Sequence, residues 1–366
     1  MLLNDDDVRR MRTAAQLLHR PKHRPVVELV RHLTGVQAQV LSAAGLALRA
    51  RATGLKAEDI DTARIRDRSI VLTWAMRGTL HLVAAEDYGW LVPLTTEPRM
   101  ANARRRLMQE GVPDGQPAKA VRFIARMLGS EGPLTRAEIA ERLQRKGIHV
   151  AGQAIAHLIW LAAAQGVVCY GPDQRFALVA DWIGKTKPRE RDASLAELAM
   201  RYLASHAPTS PADLAYWAGI RVGDANRAWR AIAGRLVEVE TAGGIRWVLR
   251  SHVPATPRSP EGERETPRGV VRLLPAFDEY LLGWKDREVA VPAAHRAKIN
   301  RGGGWLHPVL AVDGRLVATW SLKRTPKVSR LTVGAFNGLT TAVKRAVTVD
   351  AKDIADFLGA SVEVGF

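Results

Sequence analysis

Two glutamines, Gln37 and Gln39, are spaced so that they could serve one chemical site. A carboxamide is neutral, and it offers a carbonyl oxygen that accepts hydrogen bonds and an NH₂ group that donates them. Residues i and i+2 point the same way from an extended segment but lie about 200° apart on an α-helix. Both side chains can share a site only if the segment is extended or irregular, which the preceding Gly35 permits. Without other evidence, two surface glutamines at the start of a helix are the simpler explanation.

A pair of neighbouring carboxylates, Asp278 and Glu279, is the next candidate for chemistry. Adjacent residues on a strand point to opposite faces of the sheet. The two carboxylates would then be unable by themselves to form the two-carboxylate site of a glycosidase. We therefore favour a structural role for Asp278 over a catalytic one.

The familiar catalytic and cofactor motifs are absent from the sequence. Residues 184–186 (Gly-Lys-Thr) resemble the end of a phosphate-binding loop, but Val179 occupies the position of its first glycine. Histidines such as His81 and His157 stand alone, which favours core or surface roles over metal binding. The single cysteine, Cys169, excludes a disulfide framework and a cysteine-rich metal site. The sequence predicts neither a metal nor an organic cofactor.

The charge balance points to a polyanionic partner. The 366 residues include 54 Lys and Arg against 37 Asp and Glu, a net charge of +17. Nucleic acid is the first expectation and an anionic membrane the second. We expect no membrane-spanning helix because no apolar run approaches the required length. The acidic residues 5–7 are unlike the start of a signal peptide, and one cysteine suits a reducing cytosol, so we expect a cytoplasmic, nucleoid-associated protein.

Positive charge is concentrated in two parts of the chain. Residues 296–345 contain ten Lys and Arg and a single acid, Asp313, and four arginines lie within residues 99–106. The glycines at 302–304 would let nucleic acid approach bare backbone amides. These features favour duplex DNA binding over a merely solvated basic face. We expect DNA contacts from Arg104, Arg105, Arg106, Arg301, Gly303, Arg315, Lys323 and Arg324.

Turn and strand signals mark two hairpins. Residues 69–83 alternate between apolar and other positions on either side of Gly78, which predicts a β-hairpin. Asp313 and Gly314 lie between two strand candidates and predict a type I′ turn. This second turn is a candidate probe of the DNA minor groove, although it could equally just close a structural hairpin.

An internal repeat organises the middle of the chain. Residues 130–140 and 205–215 match at a constant offset, with the same serine, proline and alanines and conservative changes between them. In each copy a helix and a proline-containing turn precede a second and a third helix, and two short strands follow. This is the order of a winged-helix domain, although a generic helical array with connecting hairpins has the same elements.

These patterns predict an α+β fold, with three tandem winged-helix units followed by a β-rich C-terminal region. The predicted boundaries are 1–112 for an elaborated first unit carrying the Gln pair, 113–184 for the second unit, 185–252 for the third, 253–268 for a proline-rich linker or loop, and 269–366 for the β-rich, DNA-contacting region.

Four segments, in order along the chain, carry a family resemblance. They are residues 33–39 (LTGVQAQ), 76–82 (MRGTLHL), 274–283 (LPAFDEYLLG), and 302–305 (GGGW) through 313–315 (DGR). Together they resemble the AlkZ/YcaQ-type family of bacterial winged-helix DNA glycosylases. That family has a site pattern of Gln–apolar–Gln in one branch and Gln–apolar–Asp in another, so this sequence resembles the AlkZ branch.

The resemblance implies a monofunctional glycosylase with Gln37 and Gln39 as its catalytic residues. Its substrate would be double-stranded DNA with alkylated or crosslinked guanine, and its reaction would be hydrolysis of the N-glycosidic bond of N7-alkylguanine. It also implies the unhooking of interstrand crosslinks, including those of azinomycin B, in antibiotic self-resistance. A cationic N7-alkylated base leaves as a neutral molecule, so the site needs to place a water and favour the developing sugar cation rather than supply a strong acid.

Two other classes of protein remain open at this stage. A winged-helix transcriptional regulator would bind spaced half-sites as a symmetric dimer, whereas three unlike units in one chain favour a monomer that encloses DNA. An architectural DNA-binding protein would bind damaged and intact duplexes alike and cleave neither.

Overall fold

The computed structural model describes residues 1–20, 22–252, 269–302, 304–325 and 328–366. Its N-terminal elements are β1 (Leu2–Leu3), α1 (Asp5–Ala15), α2 (Val26–Leu33), β2 (Val36–Gln37), α3 (Leu41–Arg49), α4 (Ala57–Asp61), β3 (Ile70–Trp74), β4 (Leu80–Ala84) and α5 (Tyr88–Gln109). The hairpin expected at 69–83 is confirmed by β3 and β4, which pair in antiparallel register from Ile70 opposite Ala84.

The two repeat copies have matching element orders. The first copy contains α6 (Gln116–Glu131), α7 (Arg136–Arg145), α8 (Ala154–Ala164), β5 (Val168–Tyr170), β6 (Phe176–Leu178) and the short α9 (Val179–Trp182). The second contains α10 (Arg191–His206), α11 (Pro211–Ala218), α12 (Val222–Ala231), β7 (Leu236–Thr241) and β8 (Gly244–Leu249). The observed helices and strands follow the expected order, with ends shifted by a few residues.

The internal repeat has a physical basis in helix capping. At the start of α7, the Thr135 hydroxyl accepts a hydrogen bond from the Glu138 backbone N–H. The Glu138 carboxylate in turn accepts a hydrogen bond from the Thr135 backbone N–H. Ser210 and Asp213 form the same reciprocal pair at the start of α11. These side chains satisfy backbone donors that the first turn of a helix leaves unpaired, so both copies begin their second helix at the same point.

Strand pairing crosses the expected unit boundaries. A five-stranded sheet has the order β2-β4-β3-β5-β6, so the hairpin of the first repeat copy extends the N-terminal sheet. The first strand, β1, pairs in parallel with β7 of the second copy. One hydrophobic core also joins Val71 and Val83 of the N-terminal hairpin to Tyr202 and Trp217 of the second copy. The winged-helix assignment and the boundaries remain predictions, and the linker expected at 253–268 lies outside the described residues.

The C-terminal region contains a sheet and one long helix. Its elements are β9 (Val271–Leu274), α13 (Glu279–Leu282), α14 (Arg296–Ile299), β10 (Asn300–Gly302), β11 (Trp305–Leu306), β12 (Val309–Val312), β13 (Arg315–Lys323), β14 (Ser329–Ala335), α15 (Thr341–Leu358) and β15 (Val362–Gly365). Five strands form a sheet in the order β15-β14-β13-β12-β9.

Helix α15 was not expected, although the sequence contains a signal for it. Val343, Val347, Ala351 and Ile354 recur at helical spacing, and the last three are buried in the core with the sheet strands. The expectation of a β-rich region is therefore correct for the sheet and wrong for these 18 residues. No helix in the described part of the chain combines the length and apolar composition needed to cross a membrane.

Candidate active site

The glutamine pair lies on an extended segment that follows a sharp reversal of the chain. After α2, Thr34 and Gly35 adopt positive φ angles of 61° and 115°. A residue with a side chain rarely adopts the φ of Gly35, and a Cβ atom there would lie 2.7 Å from Cε of Met76, which would have to move. In β2, Gln37 pairs with His81 of β4, and the Ala38 N–H donates to the Leu80 carbonyl at 2.7 Å. The extended geometry that the sequence argument required is thus present.

The two glutamines differ in what surrounds them. Gln37 is only 7% exposed, whereas Gln39 is exposed in the bend that follows β2. Nη2 of Arg77 donates to Oε1 of Gln37 at 2.7 Å. A guanidinium has no acceptor, so the amide oxygen must be the atom that faces it. The Gln37 NH₂ group therefore points elsewhere, while the Gln39 carboxamide has no hydrogen-bond partner among the described residues.

Arg77 is held in place by a tight approach between two parts of the chain. It lies in the turn between β3 and β4 with a φ of 58°, and its Nη1 donates to the Trp217 carbonyl at the end of α11. A Cβ atom at Gly219 would lie 2.8 Å from the Arg77 backbone nitrogen. Glycine at 219, in a left-handed conformation, is what allows this contact. Residues far apart in sequence thus fix the position of the guanidinium that donates to Gln37.

A buried carboxylate completes the cluster. Oε1 of Glu279 accepts the Gln37 backbone N–H at 2.8 Å, and Oε2 accepts Nε1 of Trp217 at 3.1 Å. Burial raises the pKa of Glu279 above its ordinary value, although Arg77 and the two N–H donors oppose the rise. The carboxylate thus holds the main chain of Gln37, while Arg77 holds its side chain.

The neighbouring histidine is neutral. His81 lies opposite Gln37 in the sheet and is completely buried. Burial, reinforced by the charge of Arg77, lowers its pKa to about 3. Nδ1 of His81 makes its hydrogen bond with the Thr79 carbonyl at 2.9 Å. His81 is therefore no general acid at neutral pH.

The adjacent Asp278 has a structural role, as expected, but the assumption that the two carboxylates lie on a strand is wrong. Asp278 caps α13 by accepting the Tyr280 N–H at 2.8 Å. Its two oxygens also accept Nη1 and Nη2 of Arg51, each at 2.8 Å, in a fully buried pair. Asp278 therefore faces Arg51 while Glu279 faces Gln37, so the two carboxylates still diverge.

Most residues expected to contact DNA are exposed, and the turn expected to probe the minor groove is partly buried. The exposed ones are Arg104, Arg105 and Arg106 on α5, Arg315 and Lys323 on β13, and Arg324. Gly303 and the side chain of Arg301 lie outside the described part of the chain. Asp313 and Gly314 do form a turn with positive φ at both positions, but Gly314 is packed against Tyr280, Thr13 and Arg9. This packing favours the alternative that the turn closes a structural hairpin, and its role as a groove probe stays a prediction.

The helix α5 connects the arginines at 104–106 to the candidate active site. A Cβ atom at Gly78, next to Arg77, would lie 2.9 Å from Cδ of Arg99 on this helix. Arg104 to Arg106 follow roughly 8 to 10 Å further along the same axis, at about 1.5 Å per residue. The helix therefore leads from the turn that carries Arg77 to an exposed cationic surface.

Three residues of the cluster were not predicted as site residues. Arg77 and Glu279 lie within segments that carried the family resemblance, and that was the available signal. Trp217 had no signal beyond its place on a repeat helix. All three contact Gln37 or its hydrogen-bond partners only because the folded chain brings distant segments together.

Comparison with known proteins defines the class to which this fold and site belong. The family model for DNA glycosylase AlkZ-like proteins matches residues 30–357. The protein is therefore a DNA glycosylase, an enzyme that acts on N-glycosyl bonds, and not the regulator left open above. More particularly, the chain belongs to the AlkZ-like family.

Two similarities place it within this family. The chain is 30% identical over 321 residues to an interstrand DNA cross-link repair glycosylase of Streptomyces sahachiroi, with 81% of each chain covered. The solved structure of Streptomyces sahachiroi DNA glycosylase AlkZ superposes with a TM-score of 0.79, at 27% identity and over the full length of both chains.

Proposed function

We propose that this monofunctional glycosylase hydrolyses the N-glycosidic bond of cationic N7-alkylguanine in double-stranded DNA. We further propose that it unhooks interstrand crosslinks, of which those formed by azinomycin B are one example. Its place of action would be the cytoplasm, on chromosomal DNA. The interstrand-crosslink activity in the name of its Streptomyces relative supports the substrate class.

The observation that carries the proposal is the fixed orientation of Gln37. Because Arg77 occupies Oε1, Gln37 presents its NH₂ group as a donor. Gln39, exposed and unpaired within the described structure, keeps a free carbonyl oxygen. We assign the water molecule to this oxygen, which accepts a hydrogen bond from it, and we assign to Gln37 a donor contact with the water or the nucleotide. When the water adds to the sugar cation, its extra proton passes to solvent.

The electrostatics of the site suit a leaving group that is already cationic. Loss of a positively charged base leaves a neutral purine and an oxocarbenium-like sugar. No acid is needed on the base, which agrees with the neutral state of His81. The Glu279 carboxylate offsets the positive charge of Arg77. The arginine can therefore orient Gln37 while repelling the positive charge that develops on the sugar less strongly.

The exposed cations would hold the duplex by its phosphates. Arg104, Arg105 and Arg106, together with Arg315, Lys323, Arg324 and the segment at 301–303, are the proposed contacts. Phosphate contacts give affinity with little sequence preference, as an enzyme for scattered lesions requires. We propose that a monomer encloses the DNA.

Base release from a duplex with a single 7-methylguanine tests the proposal. The wild type should release the base under single-turnover conditions, and Gln37→Ala should lose release while still binding the duplex. Strand cleavage should require a separate alkaline step, because a monofunctional glycosylase leaves an abasic site. If the wild type releases neither 7-methylguanine nor a crosslinked guanine, the proposal is wrong.

A further inference from the structure

Arg99 on α5 is a half-buried arginine without a carboxylate partner among the described residues. Its Nε atom is buried and unpaired, and no hydrogen bond or ion pair within the described ranges holds the rest of its guanidinium. The half-buried Arg201, by contrast, pairs with both Asp87 and Glu197. Because an unpaired polar group that is partly removed from water costs free energy, the guanidinium of Arg99 is a candidate anion-binding group.

The side chain of Arg99 packs on the turn that carries Arg77. A Cβ atom at Gly78 would lie 2.9 Å from Cδ and 3.6 Å from Nε of Arg99, and 3.8 Å from Cζ2 of Trp160 on α8. The stem of Arg99 can lie against the turn because Gly78 has no side chain. The preceding residue, Arg77, donates to Oε1 of Gln37 at 2.7 Å. Arg99 therefore touches the same turn that orients Gln37.

The two arginines also share an electrostatic environment. Burial is the main cause of the lowered pKa of Arg77, and the charge of Arg99 lowers it further, while the charge of Glu279 opposes this change. The oxygens of Glu279 accept N–H groups from Gln37 and Trp217 rather than from Arg99. Like charges held together in a partly buried site repel each other, and an anion beside Arg99 would relieve that repulsion.

We propose that Arg99 binds one of the two backbone phosphates that flank the nucleotide whose base is released. This inference rests on the proposed function and adds a positioning residue to it. In a DNA glycosylase the anion that reaches this turn is the phosphate backbone of the damaged strand, and a guanidinium forms charge-assisted hydrogen bonds to phosphate oxygens. The bound phosphate places its nucleotide beside Gln37. It also balances a cation that would otherwise oppose the positive charge on the sugar.

A double-mutant cycle between the protein and the DNA tests this contact. Duplexes with a single 7-methylguanine receive an uncharged methylphosphonate at either flanking phosphate or at a distant phosphate of the same strand. In wild type, one flanking methylphosphonate should slow single-turnover release by about tenfold or more, the scale of one charged hydrogen bond. Arg99→Met removes the charge but keeps most of the stem that packs on Gly78. It should slow release from the ordinary duplex by a similar factor, and the same methylphosphonate should then change the rate by less than about twofold.

Two further variants separate phosphate binding from a structural role. Arg66→Met, at an exposed arginine paired with Asp67, should release the base at the wild-type rate and keep the full methylphosphonate effect. Arg99→Lys keeps the charge but not the planar fork, so it should retain part of that effect. If Arg99 only supported the turn, Arg99→Met would be slow and would still respond fully to the methylphosphonate.

The outcomes separate this inference from the proposed function. A wild-type rate in Arg99→Met, no flanking effect in wild type, or an equal flanking effect in both proteins overturns the phosphate assignment. Failure of wild type to release 7-methylguanine contradicts the proposed function instead, and equilibrium binding of the same duplexes then decides the assignment. A loss of affinity at one flanking phosphate that Arg99→Met abolishes supports the contact, whereas equal losses in both proteins overturn it.

Discussion

The guanidinium of Arg77 donates to Oε1 of Gln37 across 2.7 Å, and this contact orients the carboxamide of Gln37. It fixes which end of the amide is free, because arginine can only donate. The same guanidinium also donates to the Trp217 carbonyl, so the orientation of Gln37 depends on the packing of α11 against the β3–β4 turn.

Arg77→Lys should lower the rate of base release while DNA binding persists. Lysine carries a point charge and cannot bridge the Trp217 carbonyl and the Gln37 oxygen in the fixed fork of arginine. A misplacement of about 1 Å at a reacting centre costs roughly 10²-fold in rate. Single-turnover release of 7-methylguanine measures the effect, and Arg66→Lys, at an exposed arginine paired with Asp67, serves as the control. A wild-type rate in Arg77→Lys would refute the orienting role.

The two glutamines should respond differently to replacement by glutamate. Gln39→Glu keeps an oxygen that can accept from water, so it should retain far more activity than Gln39→Ala. Gln37→Glu removes the NH₂ donor and pairs the new carboxylate with Arg77, so it should lose about as much activity as Gln37→Ala. Parallel rate measurements on the four variants decide the division of roles. The reverse order, with Gln37→Glu active and Gln39→Glu inactive, would exchange the assignments.

Glu279 should leave a signature in the pH dependence of the rate. Its oxygens already accept N–H groups from Gln37 and Trp217, so protonation disturbs the cluster. Burial raises the pKa of Glu279, and the rate should therefore fall on acidification at a pH above the ordinary glutamate range. Glu279→Gln should be slower and should lack this acidic limb. His81 does not account for such a limb near neutrality, since its pKa is about 3.

The same pKa shift has a consequence for stability with a defined sign. A carboxyl group whose pKa is higher in the folded than in the unfolded state binds more protons when folded. Ionisation of Glu279 therefore lowers the free energy of unfolding as the pH rises from the ordinary glutamate pKa through the raised value. In urea unfolding across this window, the stability of wild type should fall relative to that of Glu279→Gln, because groups such as Asp350 contribute alike to both proteins. A decrease of equal slope in both proteins would assign it to other groups.

Removing one partner of the buried Arg51–Asp278 pair should be costly. Both side chains are fully buried, and Arg51 also donates to Gln16 and to the Ala47 carbonyl. Asp278→Asn should destabilise the protein by about 3 to 5 kcal/mol, because it leaves a buried charge uncompensated. Denaturant unfolding measures this change. A double variant with apolar residues at both positions should recover much of the stability, and failure of the single variant to destabilise would contradict the assignment.

Binding to undamaged duplex should weaken steeply with salt, and the α5 arginines should carry part of that dependence. Each phosphate contact that is lost should reduce the slope of log affinity against log salt by about one. Arg104→Ala and Arg105→Ala should each do so, with little change in the rate at saturating protein. Arg66→Ala, at the exposed arginine paired with Asp67, should leave the slope unchanged. Slopes identical to wild type in the α5 variants would remove this helix from the interface.

Several features of the protein were readable from the sequence because their causes are local. Gly78 and alternating apolar residues specify the 69–83 hairpin, and Thr135 and Ser210 cap equivalent helices through residues three positions away. The extended Gln37 segment depends on the flexibility of Gly35. The family motifs pointed to Gln37 and Gln39, and they enclosed Arg77 and Glu279 without showing what those two residues contact.

The tertiary structure decided the features that depend on contacts between distant parts of the chain. Arg77 is 40 residues from Gln37, and Glu279 is 242 residues from it, so no spacing rule could pair them. The Asp313–Gly314 turn had the predicted positive φ angles, but only packing against α1 and Tyr280 determined that Gly314 is buried. Backbone conformation at a turn or cap follows from a few neighbouring residues, whereas the orientation and accessibility of Gln37 follow from which surfaces the folded chain buries together.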